Sequence, residues 1–390
     1  MLVAATGDWT KTTMEIEGPC IRSAYRALGA TQYVDYLLHD YVHNYNQATR
    51  ESVYGFFNKW LLTDVSDTLE KEFPYAKEPD DKLLFLTGGK VPESAVNRED
   101  LIKYLKRQTH EALIDGKPSD EKSLKKYQKR TRLAWERTLQ MPIAPAKLLT
   151  EKLGQAAVGD LVVTRLALGL DGLGNRIPVV QFAPEGGAKN WAIVVHPKGS
   201  GALLGPKGAP TGLAKALLEQ GVGVLAPDLY QTGALANTDV AAKRDLTRNY
   251  FTVYNRTDLQ ERVLDLLAVT RHARRLGDKV ILAGVDRAGL WVQSASPMAD
   301  AMIADCGQFS MDDETMMAPD LFYPGFYRLG GFEGIGLTGG ATPKFLYNTG
   351  SQFSTTHMSD VYQAVGAGDR LRVAEAAASD ADLAKWAAKL

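Results

Sequence analysis

The chain opens on a short apolar run, residues 2–6, closed by Gly7-Asp8-Trp9. This is the pattern of a buried parallel strand delivering a polar side chain at its carboxyl end, the edge where open α/β sheets bind ligands. A helical period follows over 15–28, with Gly29 as its stop, then a second strand over 33–38, a polar loop over 39–46 and an amphipathic helix over 48–62. Beyond residue 65 the pattern changes. Pro74, Pro79 and Pro92 punctuate the chain, and long polar helical periods over 97–114 and 119–139 predict a helical connector spanning 66–150. Its many basic residues between Lys103 and Arg132 are interspersed with acids, so they read as a solvated helix face.

From Gly159 strands and helices alternate again. Strands are expected at 161–168, 177–183, 191–196, 222–227 and 279–284, with helices at 211–219 and 255–276, which predicts a doubly wound, mostly parallel sheet over 151–390. The turn Gly284-Val285-Asp286-Arg287-Ala288-Gly289 leads straight from a strand into a helix. Small residues two before and two after its centre are what a nucleophile elbow needs, because the turn is tight and strained, but position 286 holds aspartate.

The first segment places an acid after one strand, then a helix, a strand, and a histidine in the next loop. That is the closing order of an α/β-hydrolase, whose triad runs Ser, Asp or Glu, His along the chain. Asp8 and His43 fit the two roles: the acid would hold the imidazole in the tautomer that takes a proton from a serine hydroxyl. A lone aspartate there would simply cap the next helix, and a lone histidine would be a polar loop residue. The ordered pair favours the catalytic assignment. His39 competes for the base role but sits where the strand is ending, so His43 is preferred.

These stretches, GDWTKTTMEIEGPCIRSAYRALGA and HNYNQATRESVYGFFNKWLL, resemble the C-terminal part of bacterial esterases related to acetylxylan esterases, over about residues 1–65. The resemblance implies Ser-His-Asp hydrolysis of carboxylic esters, carbohydrate esters among them, with Asp8 and His43 as triad members and the serine on an elbow upstream, outside this chain. It also implies export if a leader precedes the chain; the compartment is otherwise open.

The last stretch repeats the first. FLYNTGSQF, from Phe345, resembles LVAATGDWT, from Leu2, and Tyr362 to Ala367 resembles Tyr25 to Ala30. In this alignment Asp8 corresponds to Ser351, and the segment that holds a histidine in the first copy shortens from 38–60 to 375–386. The expected architecture is therefore α/β: one partial α/β-hydrolase copy (1–65), the connector, and one nearly complete degenerate copy (151–390), the two packing together within the chain. His357 lies on the wrong side of the final strand to be the base. His196 precedes Pro197-Lys198-Gly199-Ser200-Gly201, where this fold places oxyanion donors, and Ser200 reads as a turn residue. As given, the chain is expected to be inactive. The alternatives for the second copy are a binding or scaffold module, or an ester-forming hydrolase using Asp286 as nucleophile.

Composition narrows this little. The chain has 390 residues, is 45% hydrophobic and 23% charged, and carries a net charge of −1, which offers no general attraction to nucleic acid or to an anionic membrane. Cys20 and Cys306 stand apart, without the spacing of a zinc site or disulfide framework, and no GxGxxG joins a first strand to its helix. No cofactor is expected.

Overall fold

The structure is a computed structural model that describes residues 1–62, 71–84, 91–144, 146–246, 248, 250–311 and 318–390. The chain divides into two compact units, Met1–Ala95 and Val96–Leu390. The boundary expected at 65/66 lies outside the described residues.

In the first unit β1 (Leu2–Gly7) pairs in parallel with β2 (Tyr36–Val42), with Leu2 opposite Tyr36 and Gly7 opposite Val42. The helix Glu17–Ala27 connects them and Gln47–Leu61 follows, its first turn capped by the Asn46 side chain, which accepts from the Thr49 amide. The second strand begins later than its apolar residues suggest. A 3-10 turn takes Thr31–Tyr33, and pairing with β1 carries the strand through His39 to Val42. Among the described residues of this unit, the buried hydrophobic side chains are Ala4 and Val34.

The second unit is built on a nine-stranded sheet in the order β11-β10-β9-β8-β6-β7-β5-β4-β3. The strands are β3 (Leu148–Val158), β4 (Leu161–Leu170), β5 (Ile177–Pro184), β6 (Asn190–Val195), β7 (Gly223–Pro227), β8 (Lys279–Gly284), β9 (Ala301–Asp305), β10 (Lys344–Tyr347) and β11 (Leu371–Val373). The β3–β4, β4–β5 and β5–β7 pairings are antiparallel, while β7, β6, β8, β9, β10 and β11 run parallel to one another, so the carboxyl ends of these six share one edge. One face is covered by Gly212–Glu219 and Asp380–Ala387, the other by Asp258–Ala273, Ala288–Ser294 and Gly331–Thr338. β3 escaped the sequence reading because nearly every side chain along it is exposed, which leaves no apolar alternation to detect. The helix expected over 255–276 is Asp258–Ala273, started by Thr257 through a capping box with Gln260; a separate short turn of helix, Phe251–Tyr254, precedes it.

The helix Glu121–Thr138, within the expected connector, belongs to this core. Leu124, Tyr127, Thr131 and Trp135 form a buried stripe at helical spacing, and the Trp135 indole donates to the Ser294 carbonyl at 2.8 Å. Among the described residues no helix is long and apolar enough to cross a membrane.

The closing elements of the two units share one order. β1, helix Glu17–Ala27, 3-10 turn Thr31–Tyr33, β2 and helix Gln47–Leu61 are matched by β10, helix Thr356–Ala364, 3-10 turn Gly368–Arg370, β11 and helix Asp380–Ala387, and both strand pairs are parallel.

Candidate functional site

The carboxyl ends of β1 and β2 bring Asp8 and His43 together. Each is the first residue after its strand, and the register sets Gly7 beside Val42. His43 Nδ1 lies 2.8 Å from Asp8 Oδ2. The Trp9 amide donates to Oδ1 at 2.6 Å and the Thr10 hydroxyl to Oδ2 at 3.1 Å. The Asp8 side chain is 11% exposed and that of His43 77%. The hydrogen bond with His43 holds the Asp8 carboxyl below its ordinary value, helped by Trp9 and Thr10 against the opposing effect of burial. Because the depressed group is an acid, the pair is complete at neutral pH and is lost as pH falls through the Asp8 titration. An ionised carboxylate only accepts, so His43 Nδ1 is the donor and carries the proton, and Nε2 is left outside this bond with a free lone pair in the neutral ring.

Sequence reasoning missed Thr10. Its position two residues after Asp8 is the available signal, since a hydroxyl at that offset closes a local turn onto the carboxylate. His39, the competitor for the base role, is engaged elsewhere: its Nε2 lies 3.2 Å from the Ser52 hydroxyl.

In the second unit the turn after β8 has the geometry of an elbow. Asp286 sits at φ +56°, the left-handed region that a non-glycine residue adopts only under constraint. The close approach that demands glycine is at 289, not only at the positions flanking 286: a Cβ on Gly289 would stand 1.9 Å from the Asp305 carbonyl oxygen, and one on Gly284 2.4 Å from that of Ala288. The groups around Asp286 do not form a triad. His196, just past β6, accepts at Nδ1 from the Lys198 amide at 3.0 Å, and burial lowers its pKa while the nearby Asp286 charge opposes that shift. In the loop after His196 the Ser200 amide is taken by the buried Asp228 carboxylate at 2.6 Å. Asp305, at the end of β9, accepts from the Gly307 amide and from Asn348 Nδ2, at 2.9 and 2.8 Å.

Ser351, which the sequence alignment above sets against Asp8, is exposed beyond β10. The segment after β11, where a base would sit, reads Ala374-Glu375-Ala376-Ala377-Ala378-Ser379, and its carbonyls accept from the amides of Asn348, Thr349 and Gly350. It serves to extend backbone pairing past the strands. His357 lies in the first turn of Thr356–Ala364, between β10 and β11.

The sheet order, the parallel carboxyl edge and the strained elbow after β8 define a fold of the α/β-hydrolase type. The chain matches no known protein family and no curated protein. It is similar in structure to a Bacteroides fragilis protein assigned as an acetyl xylan esterase, at 14% identity and a TM-score of 0.53, over 73% of this chain and 84% of that one. The first unit makes up about a quarter of the chain, so this likeness draws mainly on the second. Weaker likenesses are to acetyl xylan esterase 1 from Thermoanaerobacterium sp. JW/SL YS485 (13% identity, TM-score 0.39, 67% of this chain and 89% of that) and to a glucuronoyl esterase from Solibacter usitatus (12%, 0.46, 69% and 93%).

Proposed function

We propose that the first unit carries the acid and base of a Ser-His-Asp carboxylic ester hydrolase of the acetylxylan esterase type, and that the second is a related copy kept for binding. The observation that carries this is the 2.8 Å contact between Asp8 Oδ2 and His43 Nδ1 at the carboxyl edge of two parallel strands. Asp8 holds His43 so that Nε2 takes the proton of a serine hydroxyl attacking an ester carbonyl, stabilises the imidazolium formed, and lets His43 return the proton to the departing alkoxide. Water then repeats the cycle on the acyl-enzyme.

In this reading the serine lies outside residues 1–390. Two parallel strands in a unit whose described residues bury just two hydrophobic side chains, Ala4 and Val34, suit the closing end of a larger sheet. The shared order of closing elements supports a tandem origin, and the absence of a histidine from 374–379 supports a non-catalytic second copy.

The chain alone is therefore expected to resist a serine-directed fluorophosphonate and to leave an activated acetate ester unhydrolysed. Labelling that disappears in His43→Ala would place a nucleophile within the chain. Ester hydrolysis that His43→Ala leaves unchanged would overturn the assignment of the base.

A further inference from the structure

Between β7 and the helix Asp258–Ala273, described residues of the connecting stretch line an open pocket of about 440 Å³. Lys243, Arg244 and Arg248 line it together with Tyr250, Phe251 and Tyr254, and no acidic side chain does. Nothing in the elbow or in the Asp8–His43 pair accounts for it.

Arg244, and Phe251 beneath it, are held in place by the fold. Arg244 is only 14% exposed: its Nε donates to Asp258 Oδ1 at 2.5 Å, a second nitrogen donates to the Arg256 carbonyl, and its guanidinium lies over the rings of both Tyr230 and Phe251 at 5.2 Å. Tyr250 holds φ +65°, a left-handed conformation costly for a bulky residue, and is 72% exposed; Tyr254 is 82% exposed. Aromatic side chains left so bare, beside exposed Lys243 and Arg248, fill no core.

We infer that this basic, aromatic pocket binds an acidic oligosaccharide, one whose sugar rings carry carboxylates. A pyranose offers an apolar face of C–H bonds to Tyr250 and Tyr254, while its carboxylate takes the charge-assisted hydrogen bonds of Arg248 and Lys243. Arg244 is already committed to Asp258 and acts as a positioning residue for Phe251. With Lys243 and Arg248 in its lining and no acidic side chain there, the pocket favours an anionic glycan over a neutral one. A single pocket of this size, on a chain with a net charge of −1, does not make the extended basic track that single-stranded nucleic acid requires.

The inference rests on the carbohydrate-ester reading above for its choice of a sugar, but its test needs no ester. The intact chain is titrated calorimetrically with an oligogalacturonate, a neutral xylo-oligosaccharide and an oligothymidylate. The expected result is binding of the acidic sugar that weakens as salt rises from 0.05 to about 1 M, where screening acts within about 3 Å, and much weaker binding of the neutral one. Tyr254→Ala and Arg248→Ala should each weaken it about tenfold, with unchanged thermal unfolding, while His43→Ala leaves it intact. No binding of the oligogalacturonate, equal binding of the neutral sugar, indifference to both substitutions, or a preference for oligothymidylate would each overturn the inference. Loss of the esterase assignment in the phosphonate and ester assays would leave this measurement standing, and the reverse.

Discussion

Trp135→Ala is expected to destabilise the second unit by about 4 kcal/mol in denaturant unfolding, the middle of the range for deletion of a buried aromatic side chain. Trp135 is fully buried, and its indole N–H bonds the carbonyl of Ser294, the last residue of the helix that follows the elbow. The substitution leaves a void between Glu121–Thr138 and the core and strips that carbonyl of its donor. Trp135→Phe, which refills most of the volume without the hydrogen bond, should cost clearly less. A loss under about 1 kcal/mol for alanine would mean that the helix is only loosely docked, as a connector would be.

The second large effect is in pH dependence. Lys344 is fully buried, and its ammonium donates to the Tyr362 hydroxyl at 2.7 Å and the Thr342 hydroxyl at 2.8 Å, with the Gly340 and Thr342 carbonyls at 3.4 Å. Burial away from any carboxylate lowers its pKa to about 7. In the folded protein it therefore releases its proton near pH 7, whereas the unfolded chain keeps one to about pH 10.5. Between those values the unfolded state binds more protons, so stability must rise with pH, by up to about 1.4 kcal/mol per unit from this one group. Lys344→Met should abolish that rise while wild type shows it in urea unfolding between pH 7 and 9.5. Parallel curves for the two proteins would contradict a lysine that loses its charge on burial.

What was legible in the sequence was local. Asp8 and His43 could be read because each directly follows a strand, and strand ends are marked by the switch from an apolar run to polar residues. The elbow could be read for the same reason, although the decisive close approach turned out to be Gly289 against the Asp305 carbonyl, a contact between the helix after the elbow and the end of the next strand. The stripe of Leu124, Tyr127, Thr131 and Trp135 had the spacing of a buried helix face, but the surrounding lysines and arginines masked it. β3 gave no signal because it buries almost nothing, and the start of the long helix at Asp258 rather than Asn255 was visible only in the Thr257–Gln260 cap. The basic, aromatic pocket was not legible at all, since Lys243, Arg248 and Tyr254 converge only through the connecting stretch and its anchor at Asp258.

The central claim is that Asp8 holds His43 as a base through Nδ1, and nitrogen-15 NMR of the histidine ring in the intact chain tests it most directly. The neutral His43 ring is expected to carry its proton on Nδ1, with that proton shifted strongly downfield and lost from view in Asp8→Asn. A His43 ring protonated at Nε2, or one whose spectrum Asp8→Asn leaves unchanged, would contradict it.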